Sequence, residues 1–275
     1  MAPSFGRSIS FPLSPARSFK PRAAACHVRS ISLPCRSHPL LAHLQTQIAA
    51  VRSWATSPTA PSSGLAHIDA LHAVLAELLV LPEVQDAVCG ATPASDRLLD
   101  AYILLADAHR GFQETLLALK RDVADVRAAL RRRDAARLAS AARSQRRNEK
   151  ELARHAAAVS SGTVAKCARL GLGGATAEET EIAVALMEAA AASAAASATV
   201  FSAAASMSAA ASSSKTTAAF AAFAKKAAPE TTEVVPEKLV ELEKCIDECE
   251  SGSEMVFRSI VRTRVSLLNI RTPAI

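Results

Sequence analysis

The sequence predicts an all-α protein, and three observations support that prediction. Half of the residues are hydrophobic, but much of this content is alanine, the strongest helix former, and only 4% of residues are aromatic. Nine glycines in 275 residues leave few positions that break a helix. Apolar residues recur at steps of three and four in several long segments. We therefore expect a bundle of about five helices, with long central and C-terminal helices and a disordered basic N-terminal arm.

A change in composition near residue 37 predicts the domain organisation. Residues 1–37 are rich in Ser, Pro and Arg, contain no Asp or Glu and show no helical stripe, which indicates a disordered arm. Residues 38–275 are predicted to form a single helical domain. A low-complexity tract of Ala and Ser occupies residues 189–214 of that domain.

The domain is predicted to begin with two helices joined by a linker. Pro39 suits the first turn of a helix, which should stop near Ser57-Pro58, and residues 58–64 should form the linker. The second helix should end at Leu81-Pro82, because proline disfavours helix in the residue before it. Its apolar face carries Ile68, Leu71, Leu75 and Leu78.

A short helical piece is predicted over residues 82–89, followed by a long third helix. Ser95 and Asp96 are candidate N-caps of the long helix, and Gly111 within it indicates a close helix crossing or a bend. Its apolar positions include Leu99, Tyr102, Leu105, Phe112, Leu116, Leu119, Val123, Val126 and Leu130. Residues 131–159 are charged and rich in alanine, so we expect a helical continuation with little of its own to bury.

A glycine-rich break at residues 171–174 should precede another long helix from Glu178 to Ser214. Residues 189–214 carry no charge and are long enough to cross a bilayer. Ala and Ser supply far less transfer energy than Leu or Ile, so a close-packed soluble helix or a partly disordered alanine tract is favoured over a transmembrane helix. Residues 215–236 should form a loose connection.

The closing helix, from Leu239 to Ile270, has the most regular pattern in the chain. Its stripe consists of Leu239, Leu242, Ile246, Cys249, Val256, Ile260, Leu267 and Ile270. Ser253 and Thr263 occupy positions on that stripe and Gly252 interrupts it, which argues against a two-chain coiled coil. A second apolar edge is formed by Met255, Phe257, Val261, Val265 and Leu268. We therefore expect the helix to pack inside its own bundle, against the third helix.

Charge is distributed unevenly along the chain, whose net charge is +6. No acid precedes Asp69, residues 120–154 are basic, and residues 178–254 are predominantly acidic. The favoured interpretation is solvated helix faces of opposite sign. The alternative is that the two later regions face each other, with arginines of the third helix meeting acids of the closing helix. The acids concerned are Glu241, Glu243, Asp247 and Glu248.

Five arginines form a candidate basic patch: Arg131, Arg132, Arg133, Arg146 and Arg147. Solvated helix faces explain such a patch, and an anionic membrane surface is the alternative. Because no aromatic platform, zinc knuckle or helix-turn-helix pattern lies beside these arginines, no nucleic-acid partner is expected.

The six cysteines lack a Cys-x-x-Cys pair, and no signal-peptide hydrophobic run precedes them. They are typical of reduced thiols in an intracellular protein. Cys245 and Cys249 lie one helical turn apart, but no His or further Cys flanks them at metal-ligand spacing, so we interpret them as small core residues. No metal or cofactor is expected.

Three segments resemble a plant family, DUF241, in the order that the family uses. The first is His27–Pro39, the second contains Leu98-Leu99-Asp100, Lys120 and Leu130-Arg131-Arg132-Arg133, and the third ends in the string Arg262–Ile270. The resemblance implies a plant protein of the wider Bypass-like group, associated with root and shoot development. It brings no catalytic residues to transfer.

The N-terminal arm contains two copies of a candidate phosphorylation motif. In each copy an arginine stands three residues before a serine and a proline two residues after it: Arg29, Ser32 and Pro34, and earlier Arg7, Ser10 and Pro12. Phosphoserine in this setting resembles the ligands that 14-3-3 proteins hold through an arginine cluster. Two copies in one arm could engage both grooves of a dimeric reader.

The same acid-free arm also resembles a chloroplast transit peptide. The segment that resembles DUF241 starts at His27, so residues 1–26 are a candidate removable extension. We predict an intracellular, cytoplasmic protein, with the chloroplast as the rival location.

An enzymatic function is not predicted. The seven histidines are dispersed, and His67 and His72 are five residues apart rather than the four that share a helix face. No phosphate-binding glycine loop or nucleophile elbow is present. The sequence therefore favours a non-enzymatic regulatory protein in root and shoot development that binds protein partners. A peripheral membrane or trafficking adaptor is the alternative, and the oligomeric state stays open.

Overall fold

The computed structural model describes residues 38–89, 93–167, 177–213 and 237–272, and these ranges contain seven helices and no strand. The helices are α1 (Pro39–Thr56), α2 (Pro61–Leu78), α3 (Pro82–Val88), α4 (Pro93–Arg132), α5 (Ala135–Cys167), α6 (Ala177–Ser212) and α7 (Glu237–Arg271). The predicted all-α class is confirmed, with seven helices in the described ranges where about five were expected.

Helix α6 is the centre of the bundle. It contacts all six of the other helices, and α5, α4, α7, α2 and α1 surround it, each in contact with the next. The alanines and serines of α6 explain this position, because small side chains let many neighbours approach one axis. The larger Phe201 is fully buried and stacks on Phe112 of α4, with ring centroids 4.4 Å apart.

The segment Glu179–Ser212 is long and apolar enough to cross a membrane, and 67% of its most apolar stretch is buried inside the bundle. The core helix of a soluble protein has the same length and composition. The burial of α6 against six neighbours favours the close-packed helix expected from its Ala/Ser composition.

Helices α1 and α2 confirm the first two predicted helices and correct the linker between them. His38 caps α1, since its Nδ1 accepts a hydrogen bond from the Leu40 amide at 3.2 Å. The linker is shorter than the predicted 58–64, because Pro61 starts α2 and Gly64 lies within it. A Cβ at Gly64 would lie 2.2 Å from the Trp54 ring, so glycine there lets α1 and α2 approach closely.

The predicted caps of the long third helix were wrong. Helix α4 begins at Pro93, which places Ser95 and Asp96 in its first turn rather than before it. Ser95 is buried, and Asp96 accepts a hydrogen bond from Arg271 of α7. Proline at the start of a helix supplies the φ angle that the first turn needs, which explains the earlier start.

The predicted helical continuation from residue 131 to 159 was also wrong, because the chain reverses between α4 and α5. Arg133 has φ 52°, in the left-handed region that ends a helix. The Asp134 carboxylate then caps α5 by accepting hydrogen bonds from the amides of Ala136 and Arg137, at 3.1 and 3.0 Å. Helix α5 packs back along α4 and buries Leu138, Ala141, Ala142, Gln145, Leu152, Ala156 and Val159.

Gly111 marks a close helix crossing, one of the two predicted alternatives. A Cβ there would lie 2.3 Å from Cε1 of His155 on α5, and α4 continues through the position as one helix. The imidazole of His155 therefore occupies the space that the missing side chain leaves.

Helix α7 confirms the predicted closing helix, with one correction. It is continuous through Gly252, which lies against Leu65, and its stripe packs on α2 and α4. The second apolar edge was expected inside the bundle, but it is only partly buried. Met255, Val261 and Val265 are exposed, whereas Phe257 and Leu268 are half-buried and Leu268 packs against the core. The edge flanks the stripe, so its outer members stay in solvent.

Several predictions fall outside the described residues. These are the disordered arm at 1–37, the glycine-rich break at 171–174 and the loose connection at 215–236.

Candidate functional site

The predicted phosphorylation motifs lie outside the described residues. They comprise Arg7, Ser10, Pro12, Arg29, Ser32 and Pro34. The structure therefore places none of these residues relative to the bundle.

The predicted basic patch lies within the described residues and is exposed. Arg131, Arg132 and Arg133 form the corner between α4 and α5, and all three are exposed. Arg146 and Arg147 follow on the surface of α5. The patch therefore continues from the corner along α5.

Helix α5 extends this patch beyond the five predicted arginines. We define the α5 basic face as five exposed residues on one side of the helix: Arg143, Arg146, Arg147, Lys150 and Arg154. Arg146 donates a weak hydrogen bond of 3.5 Å to the Ser212 carbonyl, and Arg154 pairs with Glu151. Burial raises the pKa of the Asp122 carboxyl on α4, and the nearby charge of Arg147 partly offsets that increase. The face is thus only partly neutralised by its own acids.

The acids of α7 pair with α4 and leave the α5 basic face open. Lys120 of α4 lies 3.1 Å from the Asp247 carboxylate and also pairs with Glu250. Arg127 donates a hydrogen bond of 2.8 Å to Glu243. Within the described ranges no ion pair joins α5 to α7.

These contacts confirm one of the four predicted acidic partners of the third-helix arginines. Glu243 pairs with Arg127 as expected, whereas Asp247 meets the third helix through Lys120, and Glu250 adds a contact that was not predicted. Glu248 was predicted wrongly, because it accepts a hydrogen bond of 3.0 Å from Ser62 of α2 and pairs with Lys244. Glu241 is exposed.

A chain of buried polar side chains crosses the core and joins α2, α6 and α7. His72 of α2 is 1% exposed, and its two ring nitrogens contact Thr263 Oγ1 at 3.1 Å and Ser193 Oγ at 3.2 Å. Thr263 Oγ1 in turn donates to the Ser259 carbonyl at 2.9 Å. Ser259 Oγ donates to the Asp69 carboxylate at 2.6 Å, which carries the chain to the edge of α2.

His109 of α4 lies on the other side of the same α6 segment. Its Nε2 is 2.8 Å from Ser197 Oγ, and Ser197 Oγ donates to the Ser193 carbonyl at 2.7 Å. The His109 ring also meets the Phe201 ring edge-on, with centroids 5.2 Å apart. Ser193 and Ser197, one turn apart on α6, therefore link two histidines that the sequence places 37 residues apart.

The hydroxyl geometry favours one tautomer of each imidazole. With the Thr263 hydroxyl donating to the Ser259 carbonyl, His72 donates from Nδ1 and accepts from Ser193 at Nε2. With the Ser197 hydroxyl donating to the Ser193 carbonyl, His109 donates from Nε2. Its Nδ1 then carries a buried lone pair, and that nitrogen makes no hydrogen bond.

Both histidines are held neutral. Burial lowers the pKa of His72 from 6.5 to about 4. Burial, with a smaller effect of His72, lowers the pKa of His109 from 6.5 to about 3. A proton on His109 Nδ1 would find no acceptor, which agrees with the lower of the two pKa values.

The geometry of this polar chain supports a structural role. Both imidazoles and both serines of α6 are buried, and every hydroxyl hydrogen in the chain is already used. Sequence reasoning missed the chain because the histidines lie on different helices. The available signal was that His72 and Thr263 stand within apolar stripes of α2 and α7, where a polar residue needs a partner.

Cys245 and Cys249 are buried, as predicted for small core residues. A hydrogen bond from the Cys249 thiol lowers the pKa of Cys245 and raises that of Cys249. Among the described residues no group of three or more His, Cys, Asp or Glu side chains could hold a metal ion.

Two grooves mark the described surface. One, of about 570 Å³, lies between α5 and α6 and is lined by Ala, Ser, Thr and Pro side chains. The other, of about 350 Å³, lies between α4 and α7, where Leu117 and Phe257 are bordered by Glu250, Glu254 and Arg258. Neither groove contains the constellation of nucleophile and base that hydrolytic catalysis needs.

The sequence was also compared with known families. The model of the family described as Protein BPS1 matches residues 64–270, which is most of the chain from the start of α2 to the end of α7. The chain belongs to the BPS1 family. This family consists of plant proteins of the DUF241 type, so the resemblance found in the sequence is confirmed. Comparison with curated proteins and with solved structures found no significant match.

Membership of the BPS1 family relates the protein to plant development and assigns no biochemical activity. The match includes every helix that contributes to the buried polar chain and to the α5 basic face. The matched residues do not include α1 or the N-terminal phosphorylation motifs.

Proposed function

We propose that this BPS1-family protein is a non-enzymatic regulatory factor in root and shoot development that acts by binding protein partners. The observation that carries the proposal is the contrast between core and surface. The core histidines are neutral, buried and hydrogen-bonded to serine or threonine hydroxyls, whereas the ionisable groups in contact with solvent form charged helix faces. Such a protein offers surfaces for recognition rather than groups for chemistry.

The N-terminal arm is the proposed site for one partner. Phosphorylation of Ser32, and of Ser10 in the second copy, would create ligands for a 14-3-3 dimer. Arg29 and Arg7 supply the arginine three residues upstream, and Pro34 and Pro12 the proline two residues downstream. The partner is thus proposed from sequence chemistry alone.

Synthetic arm peptides test this proposal. A peptide spanning residues 25–38, phosphorylated at Ser32, should retain 14-3-3 protein on a column, and the unphosphorylated peptide should not. A phosphorylated peptide with Arg29→Ala is the matched control and should retain at least about tenfold less, because the loss of one charge-assisted contact costs about 1.5–3 kcal/mol. Equal retention by all three peptides would reject the proposed partner.

A peripheral membrane or trafficking adaptor is the second candidate function. It is favoured by the exposure of all five predicted basic-patch residues. Such a surface would meet the anionic headgroups of a cytoplasmic leaflet. Flotation with acidic liposomes that disappears when Arg131, Arg132 and Arg133 become alanine would support the adaptor, and no flotation would remove it.

The proposed location is the cytoplasm. A fluorescent fusion of residues 1–40 should stay in the cytosol, and chloroplast import of that fusion would favour the transit-peptide interpretation of residues 1–26 instead.

A further inference from the structure

The α5 basic face has a geometry that suits a flat, negatively charged surface. Arg143, Arg147, Lys150 and Arg154 are spaced by four, three and four residues, so they form one line roughly 16 Å long on the helix. Arg146 flanks that line. All five side chains are exposed, and the corner at Arg131, Arg132 and Arg133 extends the surface toward the end of α4.

The composition of this surface favours phosphate over carboxylate ligands. Residues 131–162 contain eight arginines and one lysine against three acids. The planar guanidinium of arginine donates two parallel hydrogen bonds to a phosphate, whereas lysine acts as a point charge. A surface that is almost entirely arginine is therefore suited to bidentate phosphate recognition.

The composition of α5 argues against single-stranded nucleic acid as the ligand. Helix α5 is flanked by α4 at Asn148 and His155 and by α6 at Gln145, so only its outer side, which carries the basic face, is open to a ligand. Residues 135–162 contain no Phe, Tyr or Trp on which unpaired bases could stack.

The side chains between the basic residues also limit how deeply the face can insert. The exposed residues among them are mainly Ala and Ser, with no large apolar side chain to enter a hydrocarbon layer. Binding would therefore be electrostatic and confined to the headgroup level.

We propose that the α5 basic face binds the phosphate-bearing headgroups of an anionic membrane. This inference rests on the membrane-adaptor function proposed as the second candidate. It assigns the membrane contact to α5 rather than to the Arg131–Arg133 corner, and it names phosphorylated lipid as the ligand. The rigid packing of α5 on α4 and α6 presents the line of cations to the bilayer without a folding step.

Vesicle binding by the full-length protein tests the proposal. The probes are phosphatidylcholine vesicles containing phosphatidylinositol bisphosphate, vesicles with phosphatidylserine at equal total charge, and phosphatidylcholine alone. The expected order of affinity is bisphosphate first, serine second and no binding to the neutral vesicles. Affinity should fall steeply as salt rises from 0.05 to 0.3 M, because exposed charges are screened.

Two charge-matched variants locate the site. Replacing Arg143, Arg147, Lys150 and Arg154 with Gln should weaken binding by at least about a hundredfold, since each cation near an anionic leaflet contributes about 1 kcal/mol. The control replaces Arg52, Lys244, Arg258 and Arg262, four exposed cations on α1 and α7, with Gln and should bind within about threefold of wild type, because they lie outside the α5 face and its neighbour α4. Circular dichroism and the melting temperature confirm that both variants are folded.

A single added negative charge provides an independent probe. Ser140 is exposed on α5 and lies one turn from both Arg137 and Arg143. Ser140→Asp leaves every arginine in place and should weaken vesicle binding about fivefold or more. Ser53→Asp on α1 is the matched control and should have no effect.

The outcomes of these experiments distinguish a failure of the α5 assignment from a failure of the membrane-adaptor function. If only the Arg131–Arg133 variant loses binding, the adaptor candidate stands and the assignment to α5 is overturned. If wild-type protein binds no vesicle, both are overturned, and the proposal of protein partners remains. Binding to soluble inositol hexakisphosphate or to an acidic peptide without vesicle binding would also overturn the membrane assignment.

Discussion

Single residues in this bundle are constrained by what lies directly against them. Gly64 and Gly111 are both helix-interior glycines whose missing side chain makes room for a ring from a neighbouring helix. The two rings differ in freedom, because Trp54 is 6% exposed whereas His155 is only partly buried. The same substitution should therefore have different consequences at the two sites.

We predict that Gly64→Ala destabilises the protein by about 1–3 kcal/mol, since the enclosed Trp54 ring cannot move away from an added methyl group. Gly111→Ala should cost about 1 kcal/mol or less, because His155 can swing toward solvent and alanine has the better helix propensity. Urea denaturation of both variants measures the difference. Equal destabilisation would show that Trp54 is not held as tightly as its burial indicates.

The hydroxyl of Thr263 supports a second prediction. Thr263→Val keeps the shape but leaves the His72 Nδ1 donor buried without an acceptor, which should cost about 1–3 kcal/mol. Thr115 on α4 is the control, because its hydroxyl also donates to the carbonyl four residues earlier but binds no histidine. Thr115→Val should cost less than about 0.5 kcal/mol. The same cost for both valines would contradict the hydrogen bond between Thr263 and His72.

At the scale of helices, burial around α6 contributes more to stability than the charges between α4 and α7. The side chains of Arg127 and Glu243 are 35% and 37% exposed, so solvent screens their attraction. Phe201, in contrast, is fully buried between α6 and α4. The ion pairs are better suited to setting how α7 lies on α4 than to stabilising the fold.

A double-mutant cycle on Arg127 and Glu243 should therefore give a coupling energy below about 1 kcal/mol. The cycle uses Arg127→Ala, Glu243→Ala and the combined variant, each measured by urea denaturation. A coupling energy above about 2 kcal/mol would show that this pair is effectively buried and that the ion pairs between α4 and α7 have a larger role in stability.

The helices also show which parts of the fold the sequence could predict. Apolar periodicity and the prolines at residues 39 and 82 were enough for α1, α2, α3 and α7, because those signals are local. The reversal at Arg133 was missed, since a left-handed arginine has no sequence signature comparable to glycine. The central position of α6 was missed because it depends on how six neighbours pack on small side chains.

The residues of the candidate site were also predicted only in part from the sequence. The run of arginines at residues 131–133 was enough to predict an exposed basic patch, but not that it lies at a corner between two helices. The α5 basic face was only partly found, because its line of cations at spacings of three and four becomes visible once residues 135–167 are known to form a separate helix with one exposed side. The buried histidine chain required long-range contacts that no local pattern contains.

At the scale of the whole molecule, the two neutral histidines couple folding to pH. Each has a folded pKa below its unfolded value of about 6.5, so the unfolded chain binds more protons as pH falls. Their contribution to stability is complete above pH 6.5 and is lost as pH decreases toward about 4 for His72 and about 3 for His109. Asp122, whose pKa is raised mainly by burial, opposes this trend at lower pH.

The free energy of unfolding should therefore fall by about 1.4 kcal/mol per histidine per pH unit below pH 6. By pH 4.5 the two together should remove about 5 kcal/mol, a large part of the stability of a typical domain. Urea denaturation between pH 7 and 4.5 measures the slope. His109→Gln should reduce that slope by about half, and an unchanged slope would contradict the assignment.

We propose that the core of this protein is structural and that its function is carried by the surface. The most direct measurement is the restoration of normal growth in plants that lack the protein by two variants with verified folds. A variant with His72→Gln and His109→Gln should restore growth, whereas one with Arg143, Arg147, Lys150 and Arg154 changed to Gln should not. Restoration by the surface variant together with failure of the histidine variant would contradict the claim.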